Sequence, residues 1–183
     1  MIAGAIYVQD FLTERQSTAL LDQIDKGSWL ADLKRRVQHF GYRYDYRTRY
    51  VGPDDYLGPL PAWTEHTAKR LVADGHFKAK PDQMIVNEYM PGQGIAPHID
   101  CVPCFGDAIA SVSIGSGCQM VLQNLQVGEK IDLHLEPNSL LVLSSEARYR
   151  WLHGIPPRKT DLVGGVRIAR KRRLSLTFRT VQL

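Results

Sequence analysis

Only three cysteines occur in the 183 residues, and so small and odd a number argues against a disulfide framework and for a reducing compartment. Long apolar runs are missing as well. No stretch approaches the roughly 18 consecutive apolar residues that span a bilayer, so no membrane association is expected. The opening Met1-Ile2-Ala3-Gly4 lacks the basic start and apolar run of a secretory signal, which predicts a cytoplasmic protein. Internal repeats, low-complexity tracts and flexible linkers are absent, so a single domain over residues 1–183 is expected, and a chain of this length buries a full core unaided. A strong excess of one charge is also lacking. A net charge of +4 is only mildly basic and does not by itself argue for a polyanionic partner.

The positive charge that is present is concentrated. Lys34, Arg35, Arg36, Arg43, Arg47 and Arg49 share one stretch with Asp45 as the lone acid, and Arg167, Arg170, Lys171, Arg172 and Arg173 form a second with none. Such stretches suit phosphate contacts, and they suit a solvated surface equally well.

Thr13 followed by Gln16 reads as a capping box and Gly27 as a stop, predicting a helix over 13–26. A second helix is predicted over 60–74, with Leu60, Trp63, Thr67 and Leu71 on one stripe and Pro61 in the first turn. Between them Phe40, Tyr42, Tyr44 and Tyr46 recur at period two, the pattern of an aromatic-faced strand or hairpin. Beyond Pro81, short apolar runs at 84–89, 108–114, 118–123, 131–135, 140–144 and 174–180 are separated by turn residues. The class is therefore mainly β with α: a β sandwich or barrel over 84–183 carrying helices on its N-terminal side.

His98 and Asp100, two apart on an extended segment, project from one face and could meet one metal ion. A distant third ligand would complete the two-His-one-carboxylate triad of non-haem Fe(II) sites, and His153 is the candidate. The competing His134-Leu135-Glu136 lies on a strand whose buried set is Ile131, Leu133 and Leu135, so His134 and Glu136 are expected on a solvated face. Taken alone His153 reads as an ordinary hydrogen-bonded histidine. The C-terminal strand changes that weighting, because Arg173, Ser175, Thr177 and Arg179 alternate with Leu174, Leu176 and Phe178. Arginines on an inward face require anions, which a dicarboxylate and a metal-bound Asp would supply. Cys101 and Cys104 have no second pair to build a zinc site, and these thiols are assigned no metal or redox role.

On these residues, together with Asn87-Glu88-Tyr89, the run Arg35 to Tyr42, Pro91 to Ile95 and Glu146 to Ile155, the chain from about Trp29 onward resembles the AlkB family of Fe(II)- and 2-oxoglutarate-dependent dioxygenases, most of all the branch that hydroxylates a modified wobble uridine in tRNA. The resemblance implies a double-stranded β-helix, or jelly roll, with N-terminal covering helices and a nucleotide-recognition lid over 29–57. It implies iron held by His98, Asp100 and His153, with 2-oxoglutarate and O2 as co-substrates. Arg173 and Tyr89 would take the far carboxylate of 2-oxoglutarate, Arg179 and Asn87 the near end, and Ser175 stands where many members carry Asn. Tyr42, Tyr44 and Tyr46 would stack a flipped base, with Arg35 and Arg36 near its phosphates. Val102 occupies a position that is acidic in repair enzymes acting on methylated amino bases.

The expected reaction is oxidative dealkylation of damaged bases in DNA or RNA by a monomer, releasing succinate, CO2 and aldehyde. Hydroxylation of a modified wobble uridine in tRNA is the alternative, and oxygenation of a protein or small molecule a third.

Overall fold

The computed structural model describes residues 2–31 and 33–183. In chain order the strands are β1 Ala5–Val8, β2 Val37–Phe40, β3 Gln83–Tyr89, β4 Ile95–His98, β5 Ala108–Gly115, β6 Cys118–Asn124, β7 Lys130–Leu135, β8 Leu140–Ser144, β9 Trp151–Ile155, β10 Thr160–Val163, β11 Val166–Ala169 and β12 Arg173–Arg179. The α-helices are α1 Glu14–Asp25, α2 Glu65–Ala73 and α3 Ser145–Tyr149. A six-stranded antiparallel sheet in the order β1-β8-β5-β12-β3-β2 faces a four-stranded one in the order β4-β9-β6-β7, the jelly roll expected from the resemblance.

Period-two alternation along the central strands builds both sides of the large sheet. Leu174, Leu176 and Phe178 of β12, Met84 and Val86 of β3, Val112 of β5 and Val142 of β8 pack against Leu20 and Ile24 of α1 and Leu71 of α2. Each such burial contributes about 1.5–3 kcal/mol. The intervening residues point the other way, and Tyr89, Leu141 and Leu143 meet Met120, Leu122 and Ile155 of the small sheet.

The helices begin as local chemistry dictates. Thr13 Oγ1 accepts from the Gln16 amide at 3.3 Å and Gln16 Oε1 accepts from the Thr13 amide at 2.9 Å, so the capping box is present. The second helix starts later than expected. Pro61 is extended, the chain passes through a 3-10 turn at Ala62–Thr64, and α2 begins only at Glu65. The aromatic segment is likewise not one strand. β2 stops at Phe40 because Gly41, at φ +79°, lies against the Asp82 carbonyl, where a Cβ would collide. An irregular hairpin follows, bridged at Tyr42 with Tyr56 and at Asp45 with Tyr50.

Several expectations need correction. Cys101 and Cys104 are not free thiols: the sulfurs are 1.98 Å apart, because the turn closed by the Phe105 amide on the Cys101 carbonyl brings the two Cα atoms to 5.3 Å. The remaining Cys118 is buried and free. The C-terminal basic stretch is mostly turned inward. Arg170 forms a buried pair with Asp161 at 2.6 Å, Arg172 pairs with Glu88 at 2.6 Å and with Asp25, and Arg173 lies in the interior. His134 is half-buried against Gly117 rather than solvated. The β10–β11 hairpin, turning through Gly164 and Gly165 at positive φ, has no counterpart among the expected strands. Among the described residues no helix is long and apolar enough to cross a membrane.

Glu88 ties this frame together. Only 3% exposed, it accepts from both Arg36 and Arg172 on the helical side of β3. The Arg36 hydrogen bond, helped by Arg172, holds its carboxyl below the ordinary 4.5 against the opposing effect of burial. A depressed carboxyl stabilises the fold above the unfolded value and ceases to do so as pH falls. Glu88→Gln should therefore cost about 1–3 kcal/mol at neutral pH. The gap between variant and wild-type denaturant midpoints should close as pH drops below 4.5, and a gap independent of pH would contradict this role.

Candidate active site

The antiparallel pairing of β4 with β9 sets His98 directly opposite His153, with ring centroids 4.4 Å apart. Asp100 follows where β4 ends, and its Oδ1 lies 4.0 Å from His98 Nε2. One ligand atom from each of the three residues falls within 4.8 Å of the others. His98 Nδ1 donates to the Ala96 carbonyl at 2.8 Å, which orients the ring with Nε2 toward Asp100. On Asp100, Oδ1 accepts from Arg179 Nη2 at 3.1 Å while Oδ2 is buried without a partner among the described residues. Burial alone would push the Asp100 carboxyl up. Arg179, with the two imidazoles and Arg148, outweighs it and holds the group well below its usual range, so it is ionised. Burial, reinforced by His98, pushes His153 down to about 4, so this imidazole is neutral at physiological pH. A buried, ionised carboxylate oxygen lacking a donor, facing two imidazoles of which one is neutral, is a donor set that fits one divalent cation.

Supporting contacts fix these three side chains. Arg179 Nη1 donates to Gln83 Oε1 at 3.1 Å. The buried Arg148 donates to the Asp100 carbonyl at 3.0 Å and to the Cys101 carbonyl at 3.2 Å, pinning the backbone that carries the carboxylate. Nothing in local sequence pattern marks Arg148 or Gln83 for these tasks. Ser111 and Ser113 are different, since they alternate with Ala110, Val112 and Ile114 and could have been placed on the inner face by the logic used for β12.

A cavity of about 320 Å³ opens over His98, Asp100 and His153, of the size that small-molecule sites occupy. Ser175 and Thr177 of β12 line it, and Ser175 Oγ is 2.7 Å from Ser111 Oγ. Arg173 stands beside Tyr89, 5.5 Å from its ring and outside the cavity lining. Its Nη2 donates to Ser113 Oγ at 2.9 Å, and its Nε and Nη1 are buried without partners among the described residues. Asn87 and Tyr89 line the cavity, as do Tyr44 and Tyr46. Tyr42 does not; it packs on Tyr56 at 5.0 Å. Arg35 reaches into the cavity, whereas Arg36 is drawn to Glu88 and lies 4.6 Å from the Trp29 ring. Val102 is 47% exposed and lies outside the lining.

A jelly roll that brings two histidines and one carboxylate together beside inward arginines defines a non-haem Fe(II) oxygenase. The profile of the 2OG-Fe(II) oxygenase superfamily matches residues 4–179, and the chain belongs to that superfamily. It is 37% identical over 182 residues to "Uncharacterized protein L905" of Acanthamoeba polyphaga mimivirus, covering 97% of this chain and 85% of the viral one. It is 38% identical over 165 residues to the "tRNA (carboxymethyluridine(34)-5-O)-methyltransferase alkbh8" of Xenopus tropicalis, covering 87% of this chain but only 26% of the frog protein. "The structure of OsALKBH1" superposes with a TM-score of 0.72 at 18% identity, covering 97% and 96% of the two chains. The protein is thus an AlkB-type dioxygenase dependent on Fe(II), 2-oxoglutarate and O2.

Replacing His153 with Ala should abolish succinate formation and weaken Fe(II) binding by at least about tenfold without loss of the folded circular dichroism spectrum; full succinate production by this variant would remove His153 from the ligand set. Arg173→Ala should raise the 2-oxoglutarate requirement with little change in iron affinity, whereas Arg179→Ala should impair both because it also frees Asp100. Normal affinities in both variants would show that β12 does not face the co-substrate.

Proposed function

We propose that His98, Asp100 and His153 hold the iron of a nucleic-acid oxygenase whose preferred substrate is a uridine modified at its base, as found in tRNA. When bound, Fe(II) with 2-oxoglutarate and O2 supplies the C–H hydroxylating chemistry, with succinate and CO2 as co-products. The chain contributes position. Tyr89, Ser175 and the two unpartnered nitrogens of Arg173 receive one carboxylate of 2-oxoglutarate, and Arg179 with Asn87 attends the other end. Residues 29–57 act as the lid, placing Tyr44 and Tyr46 where their rings can stack a base turned out of its strand. The exposed Arg43 and Arg47 of the same segment suit phosphates at the mouth.

The observation that carries the substrate preference is that the cavity offers a base no carboxylate beyond the one beside the histidines. Among the described residues the only acid lining it is Asp100, which Arg179 already engages. An exocyclic amino group of a methylated adenine or cytosine would forgo a charge-assisted hydrogen bond there, worth about 1.5–3 kcal/mol. A uridine brings no such group. Similarity to the frog tRNA enzyme supports the same reading.

Turnover of matched oligonucleotides followed by mass should favour C5-substituted uridine over 1-methyladenine and 3-methylcytosine by about tenfold or more in kcat/KM. Since Val102 lies outside the cavity lining, Val102→Glu should leave that ratio unchanged. Efficient release of formaldehyde from 1-methyladenine by the unaltered protein would instead favour oxidative dealkylation.

A further inference from the structure

The cavity holds positive charge beyond the two arginines of β12. Arg35 and Arg49 both line it. Arg35 is the better fixed of the two. Its Nε donates to Asn87 Oδ1 at 2.8 Å, and its guanidinium carbon sits 5.7 Å from the Tyr89 ring and 5.8 Å from the Tyr46 ring. One edge of the guanidinium is thereby occupied, while Nη1 and Nη2 have no hydrogen-bond partner among the described residues. A guanidinium held by an amide and by two aromatic rings has given up its rotamer freedom before any ligand arrives. Its open fork matches a planar carboxylate in bidentate geometry. The location selects the source of that carboxylate. Arg35 sits between Asn87 and the ring of Tyr46, inside the space a stacked base would enter, whereas the phosphates of the strand would remain outside near the exposed Lys34, Arg43 and Arg47.

Resting on the base-oxygenase reading above, we propose that Arg35 is a specificity residue that selects substrates bearing a carboxylate on the base itself, such as a 5-carboxymethyl substituent, over the neutral ester or amide. Arg35 also fixes Asn87. With Asn87 Oδ1 accepting from Arg35, one residue links the substrate end of the cavity to the co-substrate end.

The test compares short RNA stem-loops carrying 5-carboxymethyluridine, its methyl ester or plain uridine at one loop position. They are titrated without O2 into the Fe(II)- and 2-oxoglutarate-loaded enzyme, and Kd is read by fluorescence anisotropy. The wild type should bind the acid about tenfold more tightly than the ester. Arg35→Gln should reduce that ratio to within about twofold, and Arg35→Lys, which keeps the charge but not the fork, should retain part of it. Both variants should keep the folded circular dichroism spectrum, and calorimetry should show 2-oxoglutarate affinity altered far less than the acid-to-ester ratio. An unchanged ratio in Arg35→Gln, or a loss confined to 2-oxoglutarate affinity, would overturn the assignment. Preference for both modified RNAs over uridine without discrimination between acid and ester would remove the Arg35 inference alone. Equal binding of all three RNAs by the wild type would remove the modified-uridine reading as well.

Discussion

Two guanidiniums on the inward face of β12 set the terms for everything around them. Arg173 is 2% exposed and Arg179 7%, and a cation taken that far from water is tolerated only where anions or acceptors meet it. Arg179 is answered by Asp100 and Gln83. That pairing keeps Asp100 ionised in a place where burial alone would neutralise it, and it leaves one carboxylate oxygen free for a metal ion. Arg173 is answered only in part, by Ser113, and two of its nitrogens have no partner among the described residues. The same strand presents Leu174, Leu176 and Phe178 to the helices. Core and site are therefore two faces of one seven-residue element, and any slip of register by one residue would exchange them.

The segment before β2 is tied to this frame by a related device. Consecutive arginines grip consecutive residues of β3 from opposite faces of the sheet: Arg35 reaches Asn87 on the cavity side and Arg36 reaches Glu88 on the helical side. The Glu88 amide donating to the Arg36 carbonyl at 3.0 Å locks the register between them. A covering segment attached in this way has one face that answers to the co-substrate wall and another that answers to the core, while Tyr44 packs on Phe105 below it. Ring placement in the cavity then depends on contacts made well outside it.

Much of the fold was legible because it is written in short-range periodicity. The alternation in β12, the Thr13–Gln16 capping box and the apolar runs of β3, β5 and β8 each specify a local conformation and a buried face. The His98 and Asp100 pair was legible for the same reason, and His153 only because inward arginines made an anionic, metal-bearing interior the sensible partner. What escaped depends on contacts between residues far apart in the chain. Arg148 finds two carbonyls 47 and 48 residues away. Glu88 gathers Arg36 from 52 residues before it and Arg172 from 84 after it, which converts apparent surface charge into internal pairing. The Cys101–Cys104 bridge was discounted on counting alone, although a spacing of three places two sulfurs within reach whenever the chain turns there. Val102 was assigned a reading role by its distance from Asp100 along the chain, but the turn that closes this bridge leaves its side chain at the surface.

If the inward arginines and the spare oxygen of Asp100 form one site shared by metal and co-substrate, each should bind more tightly in the presence of the other. Calorimetric titration of 2-oxoglutarate into the protein under anaerobic conditions, with and without Fe(II), measures that linkage directly. One 2-oxoglutarate per chain, bound at least about tenfold more tightly when Fe(II) is present, is the predicted result. Binding of equal strength with and without the metal would contradict a shared site.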